Sequence, residues 1–91
     1  MDAVTPRQLA ATVRACGLYP PAAAAAAEAA VADLTDLSVA ADHLFAAGLL
    51  TDFQHKKIRA GRADDVFFGP YLILDKIGEG GMGKVYRAVQ A

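Results

Sequence analysis

The sequence predicts a mainly α chain, a small four-helix bundle followed by a linker and a β-hairpin. Three observations carry that expectation. Over residues 1–61, helix caps and stops bracket apolar positions spaced three, four and seven apart; over 62–70 the period is lost; over 71–91 the residues alternate on either side of a glycine-rich turn. The chain therefore divides into a helical regulatory or interaction domain at 1–61, a linker at 62–70 and the opening strands of a second unit at 71–91.

Helix one is expected over roughly residues 6–16. Thr5 is a capping residue, Pro6 suits the first helical position, and Gln8 stands where its side chain can reach back to the cap amide. Leu9, Val13 and Cys16 then recur at i, i+4 and i+7, and Gly17 supplies the stop. Helix two, roughly 21–33, starts at Pro20-Pro21 and carries a six-alanine run with Glu28 as its solvent mark. Alanine has the strongest intrinsic helix preference, and its small side chain lets a neighbouring helix approach closely.

Asp36 or Ser38 can cap helix three, whose apolar face is Leu37, Ala41, Leu44 and Phe45 and whose end is Gly48. Thr51 and Gln54 repeat the Thr-x-x-Gln capping box and open helix four, which runs through Phe53 and Ile58 to Gly61. The expected core is Val13, Val31, Leu34, Leu44, Phe45, Leu49, Phe53 and Ile58. In the linker, Val66, Phe67 and Phe68 precede a Gly69-Pro70 turn, and three adjacent apolar side chains are expected to dock on the bundle or on the next domain. Tyr71, Ile73, Asp75 and Ile77 then alternate with Leu72, Leu74 and Lys76, and Val85, Arg87 and Val89 with Tyr86, Ala88 and Gln90, so both runs read as strands.

Composition narrows the functions open to such a chain. At 91 residues it suits one small domain, and with about a quarter of its residues alanine the core rests on few large side chains. Nine Lys and Arg against ten Asp and Glu give a net charge of −1 with no block of either sign, which argues against a nucleic-acid partner or an anionic membrane surface. The longest uncharged stretch, Ala15 to Ala27, is 13 residues and includes two prolines, short of the roughly 20 a membrane span requires. A single cysteine, Cys16, reads as a buried small apolar residue in a reducing, cytoplasmic setting. His43 and His55 lack ligand-spaced companions, so no metal site is expected. Lys56, Lys57, Arg59 and Arg62 give helix four a basic end, which suits its dipole and could alternatively dock an acidic partner.

The candidate binding residues are Ile77, Gly78, Glu79, Gly80, Gly81, Met82, Gly83, Lys84 and Val85. A polyphosphate needs backbone amides turned toward it with no side chains in the way, and glycine meets both needs. Three nucleotide loops share this lettering. The pattern G-x-x-x-x-G-K-[ST] fits from Gly78 to Lys84 until Val85 takes the place of the magnesium-binding hydroxyl, and a helix should follow where the sequence alternates as a strand. The dinucleotide fingerprint likewise needs a helix and a later acidic residue. Strand, loop, strand is the arrangement of the phosphate-covering loop of protein kinases.

From Tyr71 to Ala88 the sequence YLILDKIGEGGMGKVYRA resembles the start of a bacterial eukaryotic-like (Hanks-type) serine/threonine protein kinase domain, in which G-x-G-G-M-G-x-V-Y is typical. The resemblance implies that Ile77 and Val85 sandwich an adenine, that the amides from Gly78 to Gly83 cover the ATP phosphates and that Met82 sits at the loop tip. It also implies ATP with Mg2+ as the cofactor of a full-length parent that phosphorylates protein Ser and Thr. The family's phosphate-pairing lysine lies about 15 residues beyond the position of Val85, so Lys84 is read as a solvated strand residue. With the family's other catalytic groups also not found in the 91 residues, no phosphoryl transfer is expected of this segment alone, and since an isolated two-stranded hairpin is marginal in water it is expected to bind no nucleotide. Leu44 to Gly61 is similar to helical regions preceding such kinase domains, and its Gly-Leu-Leu-Thr and Gln spacing to a module before some secretion ATPases; length and helix count resemble a death-fold interaction bundle. The bundle is then expected to serve a protein partner or self-association. A reading from a different class makes the whole chain a self-standing helical adaptor or oligomerisation module without nucleotide function.

Overall fold

The computed structural model describes residues 4–81 and 83–90. Four helices come first: α1 (Pro6–Ala15), α2 (Pro21–Val31), α3 (Leu37–Ala46) and α4 (Asp52–Arg59). Thr5 and Gln8 close a complete capping box on α1, Asp36 accepts from the amides of Ser38 and Val39 at the start of α3, and Thr51 and Gln54 close a second box on α4. Gly17, Gly48 and Gly61, which follow three of the helices, take positive φ of 76°, 78° and 77°, the left-handed conformation that releases a chain from a helix. Helix α2 ends at Val31, two residues earlier than expected.

The second half corrects the expected fold class. A helical bundle followed by a hairpin is replaced by a mixed α/β arrangement in which the four helices precede, and pack with, a three-stranded antiparallel sheet. The linker supplies the extra strand: after a 3-10 turn at Ala63–Asp65, β1 (Phe67–Phe68) pairs with the start of β2 (Tyr71–Gly80), and β2 pairs with β3 (Gly83–Gln90) in the order β1-β2-β3. Gly69, at φ 57°, opens the two-residue turn that joins β1 to β2, a geometry that matches the twist of the strands.

Burial explains the merger. One hydrophobic cluster runs from Leu9, Val13 and Val31 through Leu44, Leu49 and Ile58 to Val66, Leu72 and Leu74. The helices bring many alanines to this core, Ala10, Ala27, Ala40 and Ala41 among them, and alanine leaves little apolar volume to bury. Leucines from β2 complete it. The six-alanine run packs as expected in part, with Ala24 and Ala27 buried.

Strict alternation along β2 fails because of two register shifts against β3, between Ile73 and Asp75 and between Lys76 and Gly78, which leave Leu74 and Ile77 as inserted residues. Such bulges re-aim side chains, and Leu72, Ile73 and Leu74 are all buried as a result. Of the expected core, Val13, Val31, Leu44, Leu49 and Ile58 are buried and Leu34 is half-buried. Phe45 is 38% exposed and stacks on the His55 ring at 4.2 Å, while Phe53 is half-buried. In the linker Val66 docks fully and Phe67 partly, but Phe68 is 72% exposed.

Candidate functional site

The joint between helices and sheet is built from the α4 capping box. Thr51 Oγ1 accepts from the Gln54 amide and donates to the carbonyl of Leu74; Gln54 Oε1 accepts from the Thr51 amide at 2.9 Å while its Nε2 donates to the carbonyl of Ile73 at 2.8 Å. Gln54 is 0% exposed and every polar atom of its side chain is engaged. The same two residues thus start a helix and hold the bulged stretch of β2. On the other side the Ile73 amide donates to the Val66 carbonyl at 2.7 Å. Thr-x-x-Gln announced the cap; no signal in the sequence named the strand it would grip.

Beyond this joint the hairpin projects, and the candidate nucleotide residues lie on the projecting part. Glu79 faces Lys84 in register, and the ladder closes at Gly80 opposite Gly83. Met82 lies outside the described residues. Gly83 has φ 111°, a conformation strained for any residue with a Cβ. At Gly80 and Gly81 an added Cβ would meet nothing within 4 Å, and at Gly78 it would meet only the Val85 Cβ, at 3.9 Å. The backbone is therefore open to approach, as a phosphate-covering loop requires. Ile77 and Val85 are 64% and 56% exposed, so two aliphatic side chains flank that open backbone. Lys84 is solvent-facing and 3.7 Å from Glu79, which also pairs with Lys76 at 3.5 Å. The strand at Gly83–Gln90 stands where a P-loop needs a helix.

The two sides of the hairpin have different surroundings. Strand β3 alternates regularly, so Lys84 and Tyr86 share one side and Val85 the other. Tyr86 leans on Phe53 of α4, with ring centroids 6.2 Å apart, and Lys57 lies 5.7 Å over the Phe53 ring. Between α4 and this side of the hairpin runs a groove formed by two overlapping clefts of about 540 and 560 Å³, which share Lys57, Arg62, Lys84 and Tyr86.

The basic end of α4 faces carboxylates. Lys56 pairs with Asp52 at 3.1 Å, Arg59 with Asp42 at 3.1 Å, and Lys57 and Arg62 share Asp65 at 3.3 and 2.9 Å. Asp42 also meets His55 Nε2 at 2.6 Å. Burial, then the neighbouring Cys16, pushes the Tyr19 phenol above the ordinary value of 10.0, and Arg87 opposes them. Cys16 is a buried free thiol whose Sγ lies 3.0 Å from the Val13 carbonyl. Among the described residues, no group of three or more His, Cys, Asp or Glu is placed to hold a metal ion, and no helix is long and apolar enough to cross a membrane.

Comparison with protein-family models, with curated proteins and with solved structures finds no match to this chain.

Proposed function

We propose that these 91 residues are the N-terminal part of a serine/threonine protein kinase. The helices form a regulatory or interaction region and the hairpin of β2 and β3 carries the glycine-rich loop that covers ATP. One observation supports this reading above others: the loop joins two antiparallel strands, and beside Gly78 and Val85 its backbone is open and flanked by exposed aliphatic side chains, while α4 occupies the other side. Ile77 and Val85 would hold the adenine and the amides from Gly78 to Gly83 the phosphates. ATP with Mg2+ supplies the phosphoryl group in such enzymes; the contribution of this chain is one wall of the site. The reading includes a cytoplasmic location, supported by a free thiol as the only cysteine, and a protein partner, or a second copy, for the helical part.

Two measurements test it. The reading frame past Ala91 is expected to encode a Val-Ala-[IVL]-Lys segment within about 20 residues, and its absence overturns the kinase reading. Calorimetric titration of the chain with Mg-ATP is expected to give no saturable heat; a micromolar dissociation constant would show that the hairpin is a complete site by itself.

The adaptor reading has one observation in its favour. Leu72 and Leu74 share a core with Leu9, so β2 serves the helical unit, and β3 presents a free edge on which a second copy could pair. Light scattering that stays monomeric across a range of concentrations removes the oligomerisation form of that reading.

A further inference from the structure

We propose that the groove between α4 and the hairpin binds an acidic peptide segment of a partner protein that carries an aromatic side chain. The inference concerns the side of the hairpin away from Val85 and does not rest on nucleotide binding. Its walls carry matched charge clusters. On the helical wall Asp65 is shared by Lys57 and Arg62, and on the hairpin wall Glu79 is shared by Lys76 and Lys84. Each of these carboxylates faces two cations; Asp64 also lines the helical wall and balances it, so the positive charge left over lies on the hairpin wall, at Lys76 and Lys84. The lining as a whole holds five cations, and against them stand the carboxylates of Asp64 and Asp65 in the lining, Asp52 beside Lys56 and Glu79 beside Lys76 and Lys84, which leaves one positive charge in excess in a chain whose net charge is −1.

Between the charges lie aromatic rings. Phe53 and Tyr86 meet there, and the exposed Phe68 stands at the end nearer β1. Cations on opposite walls with rings between them complement acidic side chains flanking an aromatic residue, and a ring settling on Phe53 and Tyr86 would exclude water from the new ion pairs. An open groove takes an extended segment. Since one wall is α4 and the other is the hairpin, an occupant bridges the helical unit and the glycine loop.

The test is fluorescence anisotropy with a labelled peptide of alternating Glu and Phe, against a control peptide with Gln for Glu. Saturable binding is expected for the acidic peptide, weakening as salt rises, and falling about tenfold, a loss of about 1.4 kcal/mol, in the Lys57→Gln/Lys84→Gln double variant. Arg7→Gln on the exposed face of α1 is expected to bind as the parent does. Thermal unfolding of each variant checks that the fold is retained, and Arg62→Gln provides a second reporter should the double variant unfold. Equal binding of the Gln peptide, equal loss in Arg7→Gln, displacement by inorganic pyrophosphate or Mg-ATP at the peptide's own concentration, or no saturation would each overturn the proposal. None of these outcomes bears on the reading frame past Ala91, so this inference and the kinase reading fail separately.

Discussion

Replacing Gln54 by leucine keeps the side-chain volume nearly constant and strands two polar groups. Oε1 accepts the Thr51 amide at 2.9 Å and Nε2 donates to the Ile73 carbonyl at 2.8 Å, from a side chain with 0% exposure. Losing two hydrogen bonds costs about 1 kcal/mol each, and leaving the Ile73 carbonyl buried without a donor adds its desolvation, for a total of about 2–4 kcal/mol. A chain of this length has a total stability of about 5–14 kcal/mol, so the loss is large. The melting temperature should drop by at least about 8 °C.

Urea unfolding followed by circular dichroism measures the loss, and hydrogen exchange at the β2 amides locates it. Gln54→Glu separates hydrogen bonding from volume. A carboxylate there still accepts from Thr51 but turns a second acceptor, and a charge, toward the Ile73 carbonyl; a protonated carboxyl can donate to it. Burial and that carbonyl hold the new group's pKa above the ordinary carboxyl range. The folded state then favours the protonated form, so the deficit is small below the unfolded value of about 4.3 and grows as pH rises through the folded one. The reasoning is refuted by a Gln54→Leu loss under about 1 kcal/mol at neutral pH, or by a Gln54→Glu deficit that does not shrink in acid.

Leu72→Ala is expected to lower the stability of the whole chain by about 2–5 kcal/mol, helices included, because Leu72 is fully buried in the shared core; a helical signal that melts unchanged would mean the sheet is not part of that core. Phe68→Ala, at a side chain 72% exposed, should stay within about 0.5 kcal/mol. Titration by ultraviolet absorbance should show a phenol component above the ordinary value of 10.0 that is absent in Tyr19→Phe. The Tyr19 pKa is raised on folding, so the associated stability is present below the ordinary value of 10.0 and is lost as pH rises through the folded value; a Tyr19 that titrates at or below that ordinary value contradicts the burial ascribed to it.

The features legible in the sequence were local. The caps at Thr5, Asp36 and Thr51 and the stops at Gly17, Gly48 and Gly61 satisfy backbone groups within three or four residues, so their signals lie side by side. The hairpin was equally legible, since glycines between two alternating runs leave the chain little else to do. Burial was harder to read. Phe45 and Phe53 sit on the apolar stripes of their helices, yet Phe45 stacks on the partly exposed His55 and Phe53 turns toward Tyr86. The core was filled instead by small alanines and by leucines of β2.

The sequence by itself determined that four helices form and roughly where, with caps at Thr5 and Thr51 and stops at Gly17, Gly48 and Gly61, that a strand-loop-strand comes after them, and that its glycines expose backbone. Only the tertiary structure decided that the sheet has three strands, that it shares the helical core, and that the hairpin meets α4 on the Tyr86 side. The physical reason lies in the partners. The Gln54 side chain answers Thr51 three residues away, which sequence can show, but its remaining donor goes to Ile73, 19 residues on, and the Thr51 hydroxyl goes to Leu74, 23 residues on. Which buried carbonyl meets which donor depends on how the chain fills its core, and an alanine-rich bundle too lean to fill its own core took up the next strand.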